Sequence, residues 1–382
     1  MSSPGAGSVR CMLMRGGTSK GLFFLASDLP GSPADRDALL LAIMGSGNPI
    51  QVDGAGGAHP LAAKVAVVSR SASDDADIDY LFLQLGVEEA TITDRQNCGN
   101  ILAGVGPFAA ERGLIAAGDK STTTRIRMVN SDAVVTATFA TPDGVPAYEG
   151  DTAIAGVPGT GAPILLRFAD TAGSATGSLL PTGRVRDLID GVEVTCVDNG
   201  MPVVVARAGD LGISGSESPD ALASDSALTA RIQSLRIAAG QLMGLGDVSE
   251  LSVPKTTLVS APRDGGTVGT RTFIPVRPHT AIGVLGAVSV ATALLLPDGV
   301  GAELAEFGES GQLVDVEHPT GHLTVDVELD LSAEPPVVLS AGVVRTARKL
   351  FDGIAYPAAY RLPPARRAAD QRPIGPADAS PS

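Results

Sequence analysis

One stretch governs what this chain can become. From Ile282 to Leu296 it carries no charged side chain, and Gly, Ala, Val and Leu dominate it. It is too short to cross a bilayer, so it reads as a helix that is apolar all round, which protein must cover on every side. A second glycine-rich apolar segment, 101–114, has helical spacing, with Pro107 placed to kink or break it. Short runs rich in β-branched, aromatic or other apolar residues surround both: 22–25, 64–69, 79–83, 124–129, 134–139 and 163–168 in the first half, then 192–197, 203–206, 256–259, 270–274, 313–316 and 323–329 in the second. Each half therefore offers strands, one enclosed helix, and more strands. That is an internal repeat in pattern, although the residues match poorly. It defines an α+β chain in which a curved sheet wraps a central helix twice.

Two further helices are expected on the outside. One spans 36–44, with Asp35 and Asp37 at its start and Gly45 beyond its end, and an amphipathic one spans 228–243. The length of 382 residues suits two domains. We place them at 8–184 and 185–344, with a final strand from 345–362 joining the first domain and a disordered tail at 365–382. A net charge of −14 argues against nucleic acid or an anionic membrane as partner, and an anionic substrate then needs local donors. Three cysteines, Cys11, Cys98 and Cys196, cannot build a disulfide framework. The start is small and polar, without the basic and apolar regions of a signal peptide. These features point to a cytoplasmic protein with a small-molecule partner, and they leave room for a homo-oligomer.

Cys98 stands just before a helix start, where the positive end of the helix favours the thiolate. A buried structural cysteine is the bland alternative, weakened by the turn-forming Asn97, Gly99 and Asn100 around it. Lys64 opens an apolar strand, and desolvation there favours the neutral amine that a base requires. A lysine snorkelling from a strand end is the competing reading. Gly17–Thr18–Ser19–Lys20–Gly21 matches the serine-hydrolase pattern G-x-S-x-G, but a strand rather than a helix follows it, so an anion-binding turn is the better fit. His318 and His322 are separated by Pro319 and Gly321, so they cannot share a helix face as zinc ligands, and no metal is expected. Arg271 and His279 are weaker candidates for holding carboxylates.

Several segments together resemble the family of oxalomesaconate tautomerases and methylaconitate isomerases. They are Met14–Arg15–Gly16–Gly17–Thr18–Ser19–Lys20–Gly21, Ile43–Met44–Gly45, Asp53–Gly54–Ala55–Gly56–Gly57 and Asn97–Cys98–Gly99–Asn100. Gly156–Val157–Pro158–Gly159–Thr160, Met243–Gly244–Leu245–Gly246–Asp247–Val248, Glu317–His318–Pro319 and Arg345–Thr346–Ala347–Arg348–Lys349 continue the match over nearly the whole chain. The resemblance implies a diaminopimelate-epimerase-like fold with the active site between two similar domains. It implies that Cys98 fills the position of one epimerase cysteine and that Lys64 is its acid/base partner. The second helix opens with Pro278–His279, where a Cys-His pair is common, and Ala62–Ala63 replace an expected Thr-Ser.

The expected activity is a cofactor-independent double-bond isomerisation of a small unsaturated di- or tricarboxylic acid. Oxalomesaconate tautomerisation, a step of aromatic catabolism, comes first; methylaconitate, aconitate or methylitaconate isomerisation is the alternative. A non-catalytic ligand-binding protein and a serine hydrolase are remote readings. Lys64 and Cys98 are the expected catalytic pair. Arg15, Gly17, Thr18, Ser19, His59, Asn97, Gly99, Asn100, Met201, Arg271, His279 and Thr280 are expected to bind substrate, in part through backbone N–H groups at the two helix N-termini.

Overall fold

The computed structural model describes residues 7–95, 98–308, 313–358 and 366–367. The chain divides into two compact units: Met1–Ala116, Ile126–Ala133 and Ala347–Ser382 form one, and Ala117–Arg125 with Val134–Thr346 form the other. This differs from a boundary at 184/185. Three strands, Ser121–Met128, Ala133–Ala140 and Val337–Ala355, each run from one unit into the other along the sequence.

In the first unit, strand Val9–Gly16 lies between two antiparallel neighbours, Ser19–Leu25 and residues 347–355. Helix Pro33–Met44 then carries the chain over to Lys64–Arg70, which runs parallel to Ser19–Leu25. This helix starts earlier than expected, because Ser32 caps it by accepting from Asp35 N–H and Pro33 fits its first turn. It ends at Gly45, whose φ of 69° suits the left-handed cap. The Asp53–Gly57 motif completes that end: Ala55 and Gly56 N–H donate to the carbonyls of Ile43 and Met44 at 2.8 and 3.1 Å. Strand Ile78–Leu85 pairs antiparallel with Lys64–Arg70 and parallel, through Ile78–Tyr80, with Ile126–Met128.

Alternation along these strands builds two faces. Cys11, Leu22, Phe24, Val65 and Leu83 pack under helix Pro33–Met44. Met12, Phe23, Ala66, Tyr80 and Phe82 are buried on the opposite face, where the second expected helix lies. That helix is two short ones, Gly99–Leu102 and Val105–Glu111. Pro107 has no N–H to give residue 103, and Gly104 lets the chain press against Phe23, where a Cβ would meet the ring at 2.8 Å. Phe23 and Phe108 hold the pieces together, ring centres 5.6 Å apart.

The second unit repeats this order. Antiparallel strands Val192–Asp198 and Pro202–Arg207 lead through helices Pro219–Ser224 and Ser226–Leu242 to Lys255–Ser260, parallel to Pro202–Arg207. Val268–Phe273 follows antiparallel, and Leu313–His318 runs parallel to it. Leu313–His318 turns back into Gly321–Asp330, which pairs with residues 337–343. The apolar helix is Val284–Leu295, buried all along from Gly286 to Leu294. It touches strands from both arms of this sheet, Val192–Asp198 and Pro202–Arg207 on one side, Leu313–His318 and Gly321–Asp330 on the other. The sheet therefore curves round the helix. On its outer face Leu228, Ile232 and Leu235 pack on Val194, Cys196, Val204 and Leu258. Arg236 is fully buried there, its guanidinium donating to the carbonyls of Ser249, Leu251 and Val253.

Among the described residues no helix is long and apolar enough to cross a membrane. The tail at 365–382 lies outside the described residues except Arg366 and Arg367, which run parallel to Thr91 and Ile92.

Candidate active site

Lys64 is the first residue of its strand and is buried. It pairs with Gly21 on one side and Gln84 on the other, so its side chain shares a sheet face with theirs. Lys64 Nζ donates to Gln84 Oε1 at 2.7 Å and stands 5.1 Å from the centre of the Phe82 ring. Gln84 is fixed in turn, because Nε2 donates to the carbonyls of Ala63, Pro60 and Leu85 at 2.9, 3.2 and 3.2 Å.

Cys98 is the residue before helix Gly99–Leu102, and its carbonyl accepts from Leu102 N–H at 3.0 Å. The same carbonyl accepts from the Tyr80 hydroxyl at 3.4 Å. Burial first, and Cys98 beside it second, hold the Tyr80 phenol well above its ordinary range, so it stays a neutral donor. Tyr80, Phe82 and Gln84 alternate along one strand and therefore project from one face. At one end of that row sits the Cys98 backbone, and at the other the Lys64 amine. No hydrogen bond joins Lys64 to Cys98 directly. Helix Gly99–Leu102 is a single turn, so its dipole adds less at Cys98 than the expected continuous helix would.

The Gly16–Ser19 turn packs on the same segment. Asn100 Nδ2 donates to Thr18 Oγ1 at 3.0 Å, and a Cβ on Gly17 would collide with the Asn100 side chain. Ser19 lies two residues before Gly21 and so faces the same way as Lys64. Its hydroxyl is enclosed and has no partner among the described residues. Strands flank this turn on both sides, so the nucleophile elbow of a serine hydrolase is not built here.

Arg15 is placed differently. It pairs with Lys20 and with Arg348, on the face opposite Lys64, and Nη1 donates to the Gly17 carbonyl at 2.9 Å. Burial and then Arg348 push the Arg15 pKa down. The three cations stand side by side on adjacent strands. His59 is exposed, and its Nδ1 accepts from Leu61 N–H. Asn97 lies outside the described residues.

The remaining expected residues belong to the second unit. Helix Val284–Leu295 starts three residues later than expected, capped by Gly283, so His279 and Thr280 stand before it rather than at its N-terminus. The chain is held bent there because His279 Nδ1 accepts from Ala281 N–H and the Thr280 carbonyl accepts from Thr320 Oγ1. Met201 gives its carbonyl to Ser289 Oγ at 2.7 Å, a packing contact. Arg271 is half-buried in a cleft with His318. Among the described residues no group of three or more His, Cys, Asp or Glu side chains could hold a metal ion.

Sequence reasoning missed Gln84 and Tyr80. The available signal was a polar residue at an inward position of an otherwise apolar strand, Ile78–Leu85.

The family model described as PrpF protein matches residues 7–358. The (4E)-oxalomesaconate Delta-isomerase of Novosphingobium sp. is 55% identical over 91% of this chain and 97% of its own length. The 4-oxalomesaconate tautomerase of Pseudomonas putida is 54% identical over 91% of this chain and 95% of its own. The crystal structure of methylitaconate-delta-isomerase superposes with a TM-score of 0.81 at 30% identity, over 93% of this chain and 99% of that one. The chain belongs to the PrpF protein family, and its strand-rich α+β fold is the one seen in that crystal structure.

Proposed function

We propose that this protein is a cofactor-independent isomerase that moves a double bond in a small unsaturated tricarboxylic acid, oxalomesaconate before others, as a step of aromatic catabolism. The observation that carries this reading is the buried Lys64 amine, positioned by Gln84 on the sheet face that also holds the Cys98 helix. The names of the two relatives above half identity supply the substrate. The recurring order of strands around one buried helix supports placing both units in the diaminopimelate-epimerase class.

An allylic shift takes a weakly acidic C–H proton from one carbon and returns a proton two carbons away. The dienolate between these steps spreads its negative charge onto a carboxylate or keto oxygen. A base, an acid and donors aimed at that oxygen lower the barrier, and neither a redox group nor a metal is required by the balance. Lys64 and Cys98 serve as the two proton-transfer groups. Ser19 offers an oxyanion a hydroxyl donor on that face. Its unpaired hydroxyl costs about 1–3 kcal/mol, which a substrate oxygen would recover. Lys20, Arg15 and Arg348 lend positive potential to a chain whose net charge is −14.

A second reading, methylitaconate or methylaconitate isomerisation, is favoured by the close superposition on methylitaconate-delta-isomerase. Incubating the enzyme with oxalomesaconate, methylaconitate and methylitaconate in deuterated water separates the two, with ultraviolet absorbance and mass as readouts. Fastest turnover of oxalomesaconate with solvent deuterium in the product is expected. Turnover of none of the three, or isomerisation without any solvent deuterium, would remove the proposal.

A further inference from the structure

The second unit contains a cleft of about 260 Å3 between the Leu313–Asp330 hairpin, strand Val268–Phe273 and the turn at Gly215–Ser216. Glycines keep it open: a Cβ at Gly215 or Gly269 would run into Ser260 Oγ, and one at Gly266 into the Glu317 side chain. Its acidic groups are already engaged. The Glu317 carboxylate accepts from the backbone N–H groups of Arg263, Asp264 and Gly266 at 2.7–3.0 Å. Asp264 and Asp315 take the two ring nitrogens of His322, at 3.3 and 2.7 Å.

The donors are not used up. His318 is buried, and its Nδ1 accepts from Thr320 N–H at 3.3 Å, which puts the proton of the neutral ring on Nε2. The His322 backbone already bonds this ring, so His318 brings the cleft a shared donor rather than a free one. Arg271 is clamped by backbone carbonyls, Nε on Glu217 at 2.7 Å and Nη1 on Thr270 at 2.8 Å, which leaves Nη2 as a fixed donor edge. Arg263 anchors through Nη2 on the Ser214 carbonyl at 3.2 Å and stands at the rim.

We propose that this cleft binds a carboxylate group, held by the open edge of Arg271 against the His318 ring, with Arg263 at the mouth. A planar guanidinium edge fixed by two carbonyls matches a planar carboxylate. The neighbouring charges of Glu317 and Asp264 disfavour a phosphate dianion. The cleft lies below the usual 300–1,000 Å3 of ligand pockets, so it suits a small acid. The occupant is either one carboxylate of the isomerase's own substrate, an identification that rests on the proposed function, or a separate small carboxylic acid. The site itself rests only on its own donors.

Tricarballylate, a saturated tricarboxylate with no double bond to move, is the probe. It is titrated into the full-length protein by calorimetry and, in parallel, while the histidine ring nitrogens are followed by 15N NMR. The expected result is a shift of the His318 Nε2 signal that saturates with the heat of binding, and at least about a tenfold loss of affinity in Arg271→Gln. His318→Phe should weaken binding in the same direction. Should Arg271→Gln fold poorly, the wild-type ring shift decides by itself. Absence of binding, binding with the His318 signals unmoved, or a folded Arg271→Gln that binds as tightly as wild type would overturn the proposal. Inhibition kinetics then identify the occupant. Competitive inhibition with a raised KM in Arg271→Gln marks the substrate's own carboxylate; non-competitive inhibition marks a separate acid. Calorimetry needs no turnover, so failure of the Lys64 chemistry leaves this result standing.

Discussion

Lys64 Nζ and Gln84 Oε1 are 2.7 Å apart, and the Gln84 amide cannot turn away because three backbone carbonyls hold its nitrogen. A lysine has four rotatable bonds and loses considerable entropy when fixed. Here the paired strand fixes it before substrate arrives, which is the pre-organisation that a proton-transfer group needs.

Lys64→Met should lower turnover by at least about a hundredfold, the low end for one positioned acid or base. The fold should persist, since an aliphatic side chain fills most of the same space beside Phe82. Solvent-deuterium incorporation into substrate and product is the readout. Wash-in at the wild-type rate in this variant would mean that Lys64 only binds a carboxylate.

Gln84 acts through Lys64, so its variants should show in the pH profile and in kcat rather than in KM. Gln84→Met should lower kcat by about tenfold. Gln84→Glu sets a carboxylate beside the amine, stabilises the ammonium, and should move the rise of activity to higher pH. Unchanged profiles in both variants would reduce Gln84 to packing.

Cys98→Ser should slow turnover, because an alcohol is a far weaker acid than a thiol. Cys11→Ser and Cys196→Ser should be mild. Burial pushes those two thiols up to about 11 and about 12, so at pH 8 both remain protonated and enclosed. Native protein treated with iodoacetamide at pH 8 should therefore carry no label at either position, as mass spectrometry of its peptides will show.

Burial, followed by His322 and His279 nearby, pushes the His318 imidazole down to about 4. Unfolded, it titrates near 6.5. The folded value is the lower one, so the neutral ring's contribution is complete above pH 6.5 and is lost as pH falls from 6.5 toward 4. Its size is roughly 3 kcal/mol at most. His322 works in the opposite sense: its folded value is raised by Asp315 and Asp264 against the effect of burial, so its contribution fades as pH climbs through that value. Melting temperatures between pH 6.5 and 4 should fall less steeply in His318→Asn than in wild type. Parallel curves would refute the assignment.

How much of this was legible beforehand depended on whether a signal was local. The Ile282–Leu296 run announces an enclosed helix because no face of it can meet water, and strands such as Lys64–Arg70 are visible in their β-branched, apolar composition. Helix ends were read less well. Ser32 and Pro33 cap earlier than Asp35 suggests, and Gly283 starts its helix after His279 has already been held back by its own backbone bonds. The partners of Lys64 and Cys98 were invisible. Gln84 and Tyr80 reach them only through cross-strand register, which no single stretch of sequence encodes. Residues 347–355, within the final stretch assigned to the first domain from the sequence, pair with strand Val9–Gly16.

That last pairing has a consequence for synthesis. Strand Val9–Gly16 is synthesised more than three hundred residues before its neighbour at 347–355. A nascent chain must therefore carry an unpaired edge, with Cys11, Met12 and Leu13 on it, while more than three hundred residues are added. The first unit is finished only once residues 347–355 are made, so a truncated or stalled product exposes a ready template for aggregation, and a chaperone that shields strand Val9–Gly16 would act on the chain's longest-lived weakness.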